Sequence, residues 1–585
     1  IEEMENLEEV TSTTRENLSV IFVSVRYDVD AKMEWLKLRS SMKEMQGSLP
    51  STVIGPQVWD DFGDTTGMII SLTGAKPKIL GETAEKLKDE LKKEEAVGDV
   101  SFYGEIPEVV YVEGSRAKMA QYSITPVHMQ RALQMRNLKI PAGFIRTDDF
   151  RYRVQPTGAY TSIGEIEDTI LDVSRRTAHP VHVKDLFHVF RSPKTPPDTT
   201  VLKNGATAVA IGVVMKRGHN MVEMGRQVRG VLERFKHRLP PGVKAEVVHD
   251  APRQVDNRIS SFMENLLEGL GIVVLAMGLF LGVRSAIISA VAIPLSVLIA
   301  MSFMPMMKID LELVSISAFI VALGMLVDNS IIVTDNVDIK LRQGLSPHEA
   351  AWRGSQELAR PVVAGTLATV VAFMPMLLLS DEMGAYVRSL PLVVAASLLG
   401  SLLIALTLTP YMAKKMLRAP KKNKVMGKGP LARGYRVFLG LCLRVRFLVI
   451  LLTLAALAGT GYLYTIVGFT FFPDAHRDQF TVDVWCKEGT SLKETLRIAK
   501  KADELLRTDD EVASTLVHVG KGGPRFYITV VPEFQKSNYA QIMVNTVDPN
   551  VTHDVIERFN KKAKHLFPGA RVFAKKLVDR KSTRL

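Results

Sequence analysis

"ALGMLVDNSIIVTDNV", residues 322–337, sets an acid and an amide, Asp328 and Asn329, inside a run that otherwise suits hydrocarbon. On a helix, Ser317, Gly324, Asp328 and Asp335 fall within about 40° of one another, because separations of 4, 7 and 11 residues nearly close whole turns. The result is a small, polar stripe. Small residues let a neighbouring helix approach closely, and an acid on the same stripe turns toward that neighbour and away from lipid. An ionised Asp at a bilayer centre costs roughly 2.5 to 3.5 kcal/mol on insertion scales. A carboxyl kept there at such a cost is a candidate for loading and releasing protons. The alternative is an Asp permanently paired with a basic residue to fix helix packing. Asn329 does not titrate and can only hydrogen-bond. Asp335 lies about 10.5 Å further along by helix rise, near the cytoplasmic end, where a solvated or capping role competes with that of a second carrier.

Working outward, the 585-residue chain contains six stretches long and apolar enough to cross a bilayer as helices, at roughly 263–281, 286–307, 311–334, 361–380, 390–413 and 446–467. About 20 residues suffice for one crossing. Some 260 residues precede the first, so it is not read as a cleaved signal peptide. The mean hydropathy of +0.11 averages these stretches with ordinary soluble ones. Lys and Arg flanking a span are retained in the cytoplasm. The segment from Lys414 to Arg446 holds eleven of them and no acid; removing it would lower the net charge from +12 to +1. The basic balance therefore argues for membrane topology and against nucleic acid. Arg284, Lys340, Arg342, Arg353 and Arg360 fall on the same predicted side, and a connection opening with Asp381 and Glu382 on the other. With six spans, residues 1–260 and 468–585 are both placed outside the cytoplasm. Cys442 and Cys486 then lie on opposite sides and are not expected to pair, so the outer domains need cores of their own.

Those outer regions repeat a pattern. "SVIFVSVRYD" alternates like a strand, "AKMEWLKLRSSMKEMQGSLP" reads as an amphipathic helix closed by Pro, and "TVIGPQV" reads as another strand. The order returns in "TAVAIGVVM", "NMVEMGRQVRGVLERFKHRLPPG", "VKAEVVHD", and again in "NYAQIMVNTV", "THDVIERFNKKAKHLFPG", "ARVFAKKL". Strand, helix and returning strand make β-α-β units. The expected fold class is a multi-pass α-helical membrane protein with α+β, ferredoxin-like outer domains.

The chain resembles the RND superfamily of efflux transporters, in its hydrophobe/amphiphile branch. "ALGMLVDNSIIVTDNV" is similar to that family's fourth membrane helix, with its G-x-x-V-D-[DN] core followed by an acid and Asn. "FLGVRSAIISAVAIPLSVL" resembles the junction of its second and third helices, "RPVVAGTLATVVAFMPM" its fifth, and "GFTFFPDAHRDQF" its entry into the second outer domain. The resemblance implies a partial RND fold: residues 1–65 part of a first porter subdomain, 66–112 with 201–260 a second, and 113–200 a docking insertion. Five helices would follow over 261–413, then a basic cytoplasmic loop at 414–445, a sixth helix at 446–467, and part of a third porter subdomain at 468–585. The family has twelve such helices, so the chain is expected to be about half of a pump.

The resemblance also implies a proton relay at Asp328, Asn329 and Asp335, whose counter-charge in the family is a Lys on the tenth helix, beyond Leu585. It implies proton-driven export of hydrophobic or amphiphilic small molecules from a bacterial inner membrane, without ATP or a cofactor. The assembled pump would be a homotrimer joined through a periplasmic adaptor to an outer-membrane channel. Two positions depart from the drug-pump pattern. Asp328 is followed by Asn329 where two adjacent acids are usual, so proton stoichiometry does not carry over. "HVGKGGPRFYITVVP" occupies the place of the glycine-rich switch loop, and its only aromatics, Phe526 and Tyr527, open a strand-like run whose neighbours point to opposite faces. Only one of them, with Phe526 the candidate on the substrate path, would then face a given pocket, which favours a narrow substrate range.

Other classes have weaker support. A metal-exporting relative would use thioether ligands, and "MSFMPMMKID" does gather Met301, Met304, Met306 and Met307, although such a cluster is more often apolar packing. A proton-driven auxiliary such as a protein-export factor would share the intramembrane acid. No G-x-x-x-x-G-K-[ST], H-E-x-x-H or G-x-S-x-G occurs, and His179, His182 and His188 read as strand and loop residues.

Overall fold

The computed structural model describes every residue except 3, 16–17, 27–28, 51, 138–142, 154–158, 174–179, 281, 380–381, 419–429, 467–476, 528–529 and 578–585. In chain order, strands β1 (Leu7–Arg15) and β2 (Leu18–Val25) precede helix α1 (Ala31–Met45). Then come β3 (Thr66–Thr73), α2 (Pro77–Leu91), β4 (Val97–Tyr103), β5 (Thr200–Lys203), β6 (Ala206–Met215), α3 (Met221–Lys236) and β7 (Lys244–Asp250). The long apolar helices are α4 (Ala251–Phe280), α5 (Val283–Phe303), α6 (Leu313–Arg342), α7 (Pro347–Phe373) and α8 (Ser389–Leu406). The short α9 (Leu408–Met416) and α10 (Pro430–Arg444) lead to the last long one, α11 (Arg446–Ile466). The chain closes with β8 (Gln479–Cys486), α12 (Leu492–Arg507), β9 (Val512–Val519), β10 (Tyr539–Thr546), α13 (Thr552–Leu566) and β11 (Ala570–Lys576).

Contacts divide the chain into two units: Ile1–Gly63 with Arg253–Thr470, and Asp64–Pro252 with Phe471–Leu585. In the first, six helices among the described residues are long and apolar enough to cross a membrane, in the places hydropathy indicates, although the first and fourth begin earlier, at Ala251 and Pro347. Helix α6 is central, packing against α5, α7, α8 and α9. Its buried face, Ala318, Ala322, Leu326, Ser330, Val333, Val337 and Leu341, follows the helical period. Two hydroxyls bind it to its neighbours: Ser401 donates to the Leu326 carbonyl at 2.7 Å, and Thr409 to Ser330 at 3.4 Å. Helix α11 buries none of its residues. The strand expected in "TVIGPQV" does not form: among the described residues, 52–58 join no ladder, and Ile54 is 98% exposed. Pro56 lacks the N–H a ladder needs, so local alternation is not enough there.

The second unit is built on one antiparallel sheet, ordered β7-β3-β6-β5-β9-β10-β8-β11, with β4 also paired to β6. Two halves of the same design lie edge to edge. In each, two strand-helix-strand segments interleave: β7-β3-β6-β4 carries α2 and α3, and β11-β8-β10-β9 carries α12 and α13. The four-residue β5 joins them, pairing Val201 with Ala208 of β6 and Leu202 with Val517 of β9. Each half buries its helices on one sheet face. Leu80, Ala84, Leu87 and Leu91 of α2 recur at the 3.6 period against Met68, Ile70 and Leu72 of β3. Ala499, Ala502 and Leu506 of α12 with Phe559 and Ala563 of α13 cover Phe480, Val482 and Val484 of β8. Burial of each large apolar side chain stabilises by roughly 1.5 to 3 kcal/mol. Between β4 and β5, residues 113–200 carry a separate small core around Ile124, Val183, Leu186 and Val189.

Candidate functional site

Two constellations bear on function, one in each unit. In the helical unit, Ser317, Gly324 and Asp328 are exposed along one side of α6, opposite its buried face, as the helical spacing demands. A side chain added at Gly324 would meet nothing within 4 Å. Among the described residues, neither a hydrogen bond nor an ion pair reaches Asp328, so the stable basic partner of the alternative reading is not found there. Asp335 is half-buried on the same side of the helix, two turns further on. Asn329 is turned away from this stripe. Its amide donates to the Thr366 hydroxyl of α7 at 3.2 Å, and the hydroxyl lies 3.4 Å from its oxygen. Thus one residue of the Asp-Asn pair fixes α6 to α7, and the other is left on an uncovered face. Sequence reasoning missed Thr366, because neither it nor Thr369 carries a periodic signal within an apolar span.

In the sheet unit, the described residues between Gly520 and Lys536 join no ladder, and backbone hydrogen bonds close the neck of this loop. Gly520 N–H donates to the Tyr539 carbonyl (2.9 Å), Lys536 N–H to Gly520 (2.8 Å) and Gly522 N–H to Glu533 (2.9 Å). The strand expected at "FYITVVP" is absent from the described part of this loop. Phe526 and Tyr527 therefore need not point to opposite faces, and both are buried in one apolar cluster with Ile69, Val201, Ala208, Ala210, Leu516 and Met543. This cluster lies on the sheet face opposite the helices, and it crosses both halves. Phe526 stands edge-on to His249, ring centres 5.2 Å apart. Arg477 lies over Tyr527 at 4.3 Å. His518 meets Tyr103 edge-on at 5.7 Å.

Burial holds both histidines neutral. It lowers His249 from 6.5 to about 4, Arg477 adding to the effect while Gln479 and Asp250 oppose it, and it lowers His518 to about 3 with help from Lys521. A folded-state pKa below the unfolded one gives stability that is full above the unfolded value and lost as pH falls. The second unit should therefore be most stable above about pH 6.5 and lose roughly 3 kcal/mol on His249's account alone by pH 4. Thermal melts at stepped pH check this; His249→Asn should flatten the slope, and an unchanged slope would refute the assignment.

Of the other sequence candidates, Met304 is buried in the helix core, whereas Met306 is 78% exposed, so the methionines do not act as one cluster. His188 stacks on Phe190 at 5.2 Å, and His182 caps a short helix beside Asp185; His179 and Asp381 lie outside the described residues. Among the described residues, no group of three or more His, Cys, Asp or Glu side chains could hold a metal.

Comparison with known proteins places this geometry in context. The chain is 23% identical to the multidrug resistance protein MdtC of Cronobacter sakazakii, over 98% of this chain and 56% of that protein. It is 22% identical to the swarming motility protein SwrC of Bacillus subtilis, over 90% of the chain and 54% of that protein. To the toluene efflux pump membrane transporter TtgE of Pseudomonas putida it is 25% identical, over 74% and 43%. The chain spans about half the length of the curated relatives it matches. A family profile matches from residue 1 to residue 579, taking in both units, and the chain belongs to the AcrB/AcrD/AcrF family.

Proposed function

We propose that this chain is part of an inner-membrane pump that exports hydrophobic or amphiphilic small molecules in exchange for protons. The observation that carries the reading is Asp328, an acid on the uncovered stripe of a central membrane-spanning helix with no partner among the described residues. A second helix bundle, supplying a cation, would cover that stripe. Protonation would remove the charge and change how tightly the two bundles pack. One charge crossing 100 mV supplies about 2.3 kcal/mol. At 1.4 kcal/mol per tenfold that sustains a gradient of a few tens-fold, enough for export without ATP.

In this reading residues 66–112 with 201–260, and 468–585, are porter subdomains outside the cytoplasm, 113–200 a docking insertion, and 1–65 part of a further porter subdomain. Phe526 belongs to the substrate path. The sheet face beneath the loop at 520–536, closed by Phe526 and Tyr527, is where an amphiphile would lodge. The pump would act as a trimer with a periplasmic adaptor and an outer-membrane channel. Names borne by relatives, multidrug resistance and toluene efflux, agree with such cargo.

Full-length protein in proteoliposomes tests the function: an imposed proton gradient should drive a fluorescent amphiphile across the membrane, and a protonophore should stop it. Transport indifferent to the gradient would overturn the coupling. Topology is tested separately by a membrane-impermeant thiol reagent, which should label Lys521→Cys in intact spheroplasts and Lys415→Cys only after lysis; the reverse pattern would overturn the orientation.

A further inference from the structure

Strands β8 and β10 turn their apolar residues to the helices and so present Gln479, Thr481 and Asp483, and Tyr539, Gln541 and Asn545, to the opposite face. A face of that composition normally meets water. Here Gln479, Thr481, Asp483, Tyr539 and Gln541 are each at most 5% exposed. Much of the polarity is satisfied internally. Asp483 accepts from Tyr539 (3.0 Å), from Lys575 (2.6 Å) and from the Gln541 amide (3.3 Å), and the Gln541 oxygen accepts from Gly523 N–H (2.9 Å). Among the described residues, three buried side-chain atoms on this sheet face, His249 Nε2, His518 Nε2 and Thr481 Oγ1, make no hydrogen bond.

The hydrogen on His249 is fixed by its surroundings. The Val248 carbonyl can only accept, so the group of Asn545 lying 2.8 Å from it is the amide nitrogen. The Asn545 oxygen then faces Gln479, whose own amide nitrogen donates to it at 2.9 Å. That leaves the Gln479 oxygen against His249 Nδ1 at 2.9 Å, so Nδ1 carries the hydrogen. In the neutral ring Nε2 is consequently a bare lone pair: an acceptor, 1% exposed as a residue, beneath the Phe526 ring.

We infer that His249 is a specificity-determining residue, and that the site under the loop selects amphiphiles carrying a hydrogen-bond donor, an N–H or O–H on a flat apolar body, over equally apolar ones that carry none. This rests on the reading of that sheet face as part of the export path. A donor-bearing guest that displaces Phe526 satisfies the Nε2 lone pair, whereas a guest without a donor leaves it buried and unpaired.

The test compares N-phenyl-1-naphthylamine, which has one N–H, with its N-methyl analogue, which has none. Binding to the purified protein in nanodiscs is followed by fluorescence, with empty nanodiscs subtracted. The protein should bind the N–H probe about tenfold more tightly than the N-methyl probe. His249→Asn, whose amide nitrogen can replace Nδ1 as donor to Gln479 but places no acceptor at Nε2, should bring the ratio to about one and leave the N-methyl affinity unchanged. His249→Phe should do the same by another route, which guards against one misfolded variant. Equal affinities for the two probes in the unaltered protein would overturn the inference and leave the site standing as a substrate site. Probe binding that Phe526→Ala does not alter would place the probes elsewhere and overturn both.

Discussion

Asp328→Asn in the full-length transporter is expected to abolish gradient-driven export, reducing accumulation to that of protein-free vesicles. Asn matches Asp in size and polarity and differs in having no charge to lose. Helix α6 should keep its fold, because Asp328 is exposed and makes no hydrogen bond among the described residues that the change would break. The loss should therefore appear in coupling and not in folding: binding of amphiphile at equilibrium stays, while uphill movement of a few tens-fold disappears. Asp328→Glu, which keeps a titratable group, should retain part of the activity. Asn329→Leu is a useful contrast, since it removes the Thr366 hydrogen bonds and leaves the carboxyl in place, and should weaken export by a few-fold only. Efflux of Asp328→Asn at the unaltered level would show that this acid is not the proton carrier.

Gly520→Ala should lower the melting temperature of the sheet unit by about 5 °C. Gly520 has φ +86°, a region that costs a residue with a Cβ roughly 1 to 2 kcal/mol. An added Cβ would also sit 2.6 Å from the Asp198 carbonyl oxygen and 2.7 Å from Leu492 Cδ1. The side chain can swing aside but the carbonyl is backbone, so the neck of the loop must shift. Its hydrogen bonds to Tyr539 and Lys536 weaken with it. A total near 3 kcal/mol converts to that change at roughly 1.6 °C per kcal/mol, since a unit of about 300 residues unfolds with an entropy of about 0.6 kcal/mol/K. Gly218→Ala is the control: φ is +84° there, but nothing lies within 4 Å, so only the backbone preference is lost. Melting followed by circular dichroism, with limited proteolysis in the loop, reads both. Equal melting of the two variants would mean the neck does not hold the loop.

What lay open in the sequence was whatever a local period can encode. Hydropathy over about 20 residues marked the six helices that, among the described residues, are long and apolar enough to cross a membrane, because a helix in a bilayer satisfies its backbone within itself and needs no partner to be recognised. The spacing of Ser317, Gly324 and Asp328 set them on one side of α6 for the same reason. Alternation found the strands that carry a helix, such as β6 and β10, but it also predicts strands at 52–58 and in the run opening at Phe526, whose described residues join no ladder, since alternation cannot show whether a partner strand exists. Which side of the Asp328-Asn329 pair is held was decided by Thr366, 37 residues away on another helix. The polar alternation of Gln479, Thr481 and Asp483 looks in sequence like a solvent face. It became an interior when β5 joined two half-sheets and the loop at 520–536 folded over the seam. His249 owes its neutral ring to burial under residues far away in the chain, and the place of its free lone pair to Gln479, 230 residues away, which fixes the hydrogen on Nδ1. Periodicity belongs to one segment, whereas burial of a polar group depends on contacts between segments distant in the chain, and only the tertiary structure brings those together.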